Sequence, residues 1–180
     1  TRQHDQQFDR NGFQRDSNSF TPRVGTTFEA TRMLTGEISV GYLKRHYDDP
    51  TLPDVKGVVF DSSLAWTPTG LTTVTLTGTS RGDEVVLAGV SGALRRDVTL
   101  QVDHAFRRWL IGTLRLGYGI DDYVGSDRLD KRMSLGSVIT YKINRDLWLK
   151  GEYRYDQLRS NTANVNYNAS VYLVGLKLQR

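Results

Sequence analysis

From Phe20 to the end of the chain, apolar side chains recur at every second position. That period belongs to a pleated strand with one apolar face, and it excludes an amphipathic helix. In the last stretch, Ala169 to Arg180, Tyr172, Val174, Leu176 and Leu178 make one unbroken apolar row. Val171, Leu173, Gly175, Lys177 and Gln179 make the other, which turns small and polar toward its end. Nothing later in this sequence can bury that row, and a bilayer is the obvious cover.

The alternation repeats between turn signals. Thr1 to Asn18 is polar apart from Phe8 and Phe13 and reads as the tail of an incoming strand followed by a loop. Strands are then expected around Phe20–Ala30, Ile38–Tyr42, Val58–Thr67, Thr72–Ser80, Leu94–Asp103, Leu110–Ile120, Met133–Ile143 and Leu147–Tyr155, with the terminal strand last. Between them fall short turns at Thr31–Thr35, Pro68-Thr69-Gly70, Ala105–Arg108 and Asn144-Arg145-Asp146. Longer loops fall at Asp48–Gly57, around Arg81-Gly82-Asp83-Glu84, at Asp121–Lys131 and at Gln157–Asn168. Nine regular strands result, and about ten if Thr1 to Phe8 pairs, since bacterial barrels close on even numbers.

Residues 1–180 are read as a single domain. A mean hydropathy of −0.47 argues only against helical membrane proteins, because every second residue of a barrel faces a polar interior. The longest apolar run, Val171 to Leu176, is far short of the roughly 20 residues a spanning helix needs. The absence of cysteine excludes disulfides, thiolate metal sites and thiol catalysis. A net charge of +4, with basic residues scattered among acids, does not suggest nucleic-acid binding.

Loop lengths alternate, as expected when one end of every hairpin faces the periplasm and the other the outside. Trp66, Trp109 and Trp148 sit beside short turns, whereas Tyr47, Tyr123, Tyr155 and Tyr167 sit beside long loops. That is the pattern of two interfacial aromatic girdles. Trp109 and Trp148 are out of phase with the apolar rows that follow them, which leaves them either in the turns or pointing inward. The expected fold class is therefore all-β, an antiparallel up-and-down transmembrane β-barrel (meander) of about ten strands, nearly complete or the C-terminal part of a larger barrel.

The row opposite the apolar one carries Arg23, Glu29, Glu37, Arg45, Asp61, Arg95, Asp97, Asp103, Arg115, Lys142, Lys150, Glu152 and Arg154, the candidates to line the lumen. Both signs are interleaved. In a small barrel such a row pairs across strands and fills the interior, and in a wider one it lines a wet passage.

The segments Gly36-Glu37-Ile38-Ser39-Val40-Gly41-Tyr42-Leu43, Trp66-Thr67-Pro68-Thr69-Gly70-Leu71-Thr72-Thr73-Val74-Thr75-Leu76-Thr77, Val102-Asp103-His104 and Val174-Gly175-Leu176-Lys177-Leu178-Gln179-Arg180 carry a family likeness. From about Ser19 onward the chain resembles the second putative beta-barrel porin family of proteobacterial outer membranes. The resemblance implies a location in the bacterial outer membrane, and some relatives accompany exopolysaccharide export. The ending departs from the terminal aromatic common in such barrels, since Arg180 is last and Leu178 is the nearest apolar residue. Expected partners are outer-membrane lipid, the barrel-assembly machinery, and polysaccharide or small solutes as cargo.

Little in the sequence carries chemistry, and no enzyme, cofactor or metal site is expected. His4, His46 and His104 lie on separate segments without partners at metal-ligand spacing. Asp103 and His104 are adjacent on a strand, so their side chains point to opposite faces. Asp48-Asp49 and Asp121-Asp122 read as solvated carboxylate pairs, Arg81-Gly82-Asp83 as a turn, and Asn168-Ala169-Ser170 as a sequon without consequence. A porin-like or export-associated channel is the leading expectation. A non-conducting anchor or loop-display barrel, and a soluble lipocalin-like barrel with its apolar rows inside, are the alternatives.

Overall fold

The computed structural model describes residues 2–3, 15–85, 87 and 90–178. Its strand segments are β1 (Arg2–Gln3), β2 (Ser17–Phe20), β3 (Arg23–Thr31), β4 (Leu34–Tyr47), β5 (Val55–Thr69), β6 (Thr72–Asp83), β7 (Gly92–Arg107), β8 (Leu110–Val124), β9 (Leu129–Lys142), β10 (Leu147–Ser160) and β11 (Tyr167–Leu178). All belong to one sheet in which chain neighbours pair antiparallel. β2 and β3 are two pieces of one strand, because the register Phe20↔Lys44 continues without slip to Arg23↔Gly41. Pro22 causes the break: it accepts the Tyr42 N–H at 3.2 Å but has no N–H to return. Of the expected Thr1 to Phe8 pairing, Arg2↔Asn18 and Gln3↔Ser17 are seen, and the other residues lie outside the described ones.

Turns at 32–33, 70–71, 108–109 and 143–146 occupy one end of the sheet, and connections at 48–54, 84–91, 125–128 and 161–166 occupy the other. In the last of the short turns, Asn144 Oδ1 accepts the N–H groups of Asp146 and Leu147 at 2.9 and 2.7 Å, an Asx-type closure. Two expected loops are shorter than the polarity of their residues suggests. Arg81-Gly82-Asp83 is the end of β6, not a turn, and its ladder with β7 runs to Asp83↔Ala93. Likewise β8 and β9 stay paired to Asp122↔Leu129, well into the Asp121–Lys131 segment. Strand pairing is made by backbone groups, and charged side chains are accepted there because ion pairs neutralise them.

The register assembles each face of the sheet. Phe28, Gly36, Leu64, Leu76, Leu100, Leu116, Leu135 and Tyr155 form one lateral row from β3 to β10. That face is open to its surroundings, with Val98 48% and Leu116 44% exposed. A lipocalin-like chain would bury these side chains in its interior; here they are exposed on one face of the sheet, and the charged residues occupy the opposite face.

The one packed core among the described residues lies at the long-connection end. The β5–β6 ladder stops at Phe60↔Ser80, beyond which β5 pairs only with β4 and β6 only with β7. The two hairpin ends then stack as layers. Leu43, Tyr47, Val55 and Val59, on the charged-face side of β4 and β5, pack with Leu52 against Leu94, which has the apolar-face parity of β7. Two glycines admit this approach: a Cβ on Gly57 would sit 2.7 Å from Leu94 Cδ1, and one on Gly82 would come closer still to Leu43 Cδ2. Burying a leucine this way stabilises the contact by roughly 1.5–3 kcal/mol.

The sheet is open. β11 pairs only with β10, and β3 only with β4, among the described residues. β3 is exposed along its whole length, as is nearly all of β11. With eight reversals of direction between them, these two edges run the same way.

Candidate functional site

All thirteen residues expected to line a lumen fall on the charged face by register. Two of their contacts share one construction. Arg23 on β3 reaches past Gly41 of β4 to Asp61 of β5 at 2.5 Å. Arg132 on β9 reaches past Gly119 of β8 to Asp97 of β7 at 2.7 Å. A side chain on the middle strand would block either crossing, since a Cβ on Gly41 would stand 2.6 Å from Arg23 Cγ.

Around the second crossing the charges form a chain of alternating sign. Arg95 binds Asp83 at 3.2 Å and Asp121 at 3.1 Å, and Arg132 binds Asp121 at 2.8 Å as well as Asp97. Asp121 is 3% exposed, so the expected solvated Asp121-Asp122 pair is corrected: alternation separates the two, and Asp121 is buried between arginines. Nearer the short turns, Asp103 accepts Gln101 Nε2 at 2.7 Å and Thr113 Oγ1 at 2.6 Å, while Gln101 Oε1 accepts Arg115 at 2.7 Å. On β10, Lys150 pairs with Glu152 at 3.3 Å and Arg154 with Asp156 at 2.9 Å. Glu29 and Glu37 stand beside Thr35 and Thr27 on the first strands.

Arg132 and Asp121 also belong to this face but are not among the residues expected there. Their parity with Lys142 and Arg115 is the available signal, obscured because the polar segment from Asp121 to the start of β9 has the composition of a loop. Arg45 needs a correction. It has the expected parity but is largely covered, its guanidinium pairing with Glu84 at 2.8 Å between the stacked layers.

The aromatic residues divide differently from the expected girdles. Trp66 pairs with Val74 on the apolar face, Trp109 packs edge-on against Tyr141 of that face at 5.1 Å, and Tyr155 stands beside Leu135. Tyr47 is instead 2% exposed and donates its hydroxyl to the Ser91 carbonyl at 2.5 Å, out of reach of any interface. Tyr123 is on the charged face, bonded to Asp130 at 3.0 Å with the Arg128 guanidinium over its ring at 4.6 Å. Tyr167 has charged-face parity through Leu158. Trp148 pairs with Lys142 and Lys177 across the ladders, and both ammonium groups lie over its ring at 4.7 and 5.0 Å.

The remaining candidates are local structure. Asp103 and His104 point to opposite faces; His104 Nδ1 lies 2.8 Å from Thr72 Oγ1, and its ring packs on Phe106. Asp49 closes a turn by accepting the N–H and hydroxyl of Thr51. Asn168-Ala169-Ser170 lies within β11, and His4 lies outside the described residues. Among the described residues no cluster of three or more His, Cys, Asp or Glu side chains is arranged to hold a metal ion. At the end of the connection after β4, the Asp54 carboxylate lies 2.6 Å from Nδ1 of His46 on β4 and 3.0 Å from Nζ of Lys56 on β5. The hydrogen bonds from His46 and then Lys56 hold that carboxyl below its ordinary range. In the next connection but one, the bidentate hydrogen bond to Asp130 raises the Arg128 guanidinium further.

One face of the sheet is thus an exposed apolar surface and the other a corridor of paired charges, an arrangement suited to lipid on one side and water on the other. No curated protein matches the chain. The family model described as putative beta-barrel porin 2 matches residues 1–180, and the chain belongs to that family of β-barrel porins.

Proposed function

We propose that the chain forms wall strands of a porin-like channel in the bacterial outer membrane, with small solutes or exported polysaccharide passing along the charged face. The observation that carries this reading is the division of the sheet outside its stacked end: there the strands from β3 to β10 send their apolar rows to one exposed face and their polar and charged rows to the other. Lipid acyl chains cover the first, and the barrel-assembly machinery inserts the strands. The second offers carboxylates and guanidiniums in alternation, which hydrates a passage without strongly selecting for one sign. The role is passive, and no residue is assigned a catalytic function.

Reconstitution of the folded protein in a planar bilayer tests the reading. Stepwise ionic currents that scale with salt concentration are expected; a folded, inserted protein that passes no current under any voltage removes the channel claim.

A further inference from the structure

Resting on the channel reading, we infer that the paired ends of β6 and β7 are folded inside the barrel wall and form the narrowest, size-determining part of the passage. Parity carries the argument. Leu43, Val55 and Val59 belong to the face of β4 and β5 that bears Asp61, whereas Gly82 and Leu94 belong to the opposite face of β6 and β7. Contact between unlike faces puts the β6–β7 end, still paired with β8 as far as Gly92↔Val124, one layer over β4–β5 on their charged-face side. In a barrel that side is the interior.

The displaced end is held by shape and by polar clasps. Leu94 sits over Gly57 and Leu43 over Gly82, a reciprocal fit that any larger residue at either glycine would spoil. Tyr47 donates to the Ser91 carbonyl, and the Arg15 guanidinium donates to the Val90 and Leu87 carbonyls at 3.0 and 3.1 Å. The inward surface of this end carries Asp83 and Arg95, tied to Asp121, and Arg81 binds Asp83 at 3.2 Å, so that three arginines balance three carboxylates along the chain of ion pairs. A narrowing lined by compensated charges sorts solutes by size and only weakly by sign.

The chain has no cysteine, so Gly57→Cys with Leu94→Cys gives a clean cross-link. The pair is expected to oxidise in the folded protein and to leave conductance at the wild-type level. Release is made two ways: Leu43→Asp with Leu94→Asp, which puts charge into the interlayer contact, and Gly82→Val, which wedges the layers apart without a charge. In proteins shown to be folded by resistance to unfolding in cold detergent, either release is expected to raise single-channel conductance severalfold and to admit larger sugars in liposome swelling. Release variants that fold and conduct like the wild type overturn the inference, as does a folded double-cysteine protein that does not cross-link. A wild type that never conducts overturns the channel reading itself, and this inference with it.

Discussion

Arg132 on β9 and Asp97 on β7 meet at 2.7 Å although a whole strand lies between them, because the residue at the crossing is Gly119. A Cβ there would stand 2.4 Å from Asp97 Oδ1 and 2.7 Å from Arg132 Nη2. Gly119→Ala is therefore expected to break this pair while leaving Arg132 on Asp121. Both partners of the lost contact are about a third exposed, so the loss is about 0.2–1 kcal/mol, the range of surface ion pairs. Asp121→Ala is the contrasting case: Asp121 is buried and binds both Arg95 and Arg132, which are left with Asp83 and Asp97 alone. Losing hydrogen bonds from a buried carboxylate to charged partners costs about 1.5–3 kcal/mol. Urea unfolding of the two variants in lipid vesicles gives the comparison, and equal losses would contradict the assigned difference in burial.

The two faces respond oppositely to the same substitution. Leu116, in the middle of the exposed apolar row, is expected to tolerate arginine badly, by about 2–4 kcal/mol where the position lies near the bilayer midplane. Thr99→Arg, one strand away on the charged face, two residues from Asp97 and opposite Gly117, is expected to stay within about 0.5 kcal/mol of the parent. Folding free energies in vesicles report the difference, and a Leu116→Arg protein as stable as Thr99→Arg would reverse the assignment of faces.

Much of this architecture could be read from the period of two. Val98, Leu100, Leu114 and Leu116 alternate with Asp97, Thr99, Gln101, Asp103 and Arg115 in the sequence just as they do across the sheet. The short turns were legible because their residues have turn chemistry of their own, as with Asn144. What alternation cannot show is where one part of a sheet leaves its plane. Tyr47 and Arg45 have the parity of an inner face, yet both are covered, because Gly57 and Gly82 let the ends of β6 and β7 close over them. Such a fit joins residues distant in sequence and leaves no periodic trace. Asp121 was obscured for another reason, since a polar strand end and a polar loop have the same composition.

Acid is expected to loosen the connection at 48–54. The Asp54 carboxyl is held below its ordinary value, by the hydrogen bond to His46 first and to Lys56 second. A carboxylate with a depressed folded-state pKa contributes stability that is fully present above its unfolded value, about 3.9, and that is lost as pH falls through the lower folded value. The window therefore lies below about pH 3.9. Amide exchange in residues 48–54 should accelerate there, and Asp54→Asn should exchange fast already at neutral pH. A loop whose exchange rate, corrected for intrinsic chemistry, is flat across that window would show that the clasp contributes nothing.

The three tryptophans report on the faces independently of any current. Trp66 stands in the exposed apolar row, and Trp109 leans on Tyr141 of the same face. Trp148 lies on the other face, where Lys142 and Lys177 approach its ring. Two ammonium groups at that distance are favourable cation–π contacts, and neither would leave water for the acyl region of a bilayer. Single-tryptophan variants in vesicles of brominated phospholipid are thus expected to separate: emission from Trp66 and Trp109 quenched, emission from Trp148 retained but reduced by a water-soluble quencher such as iodide. Replacing both lysines with methionine removes the cations without changing the parity of residue 148, so Trp148 should stay unquenched by lipid in that variant too. Strong quenching of Trp148 by brominated lipid would place lysines and lipid on the same side of the sheet, an arrangement that neither the register nor the cost of burying charge permits.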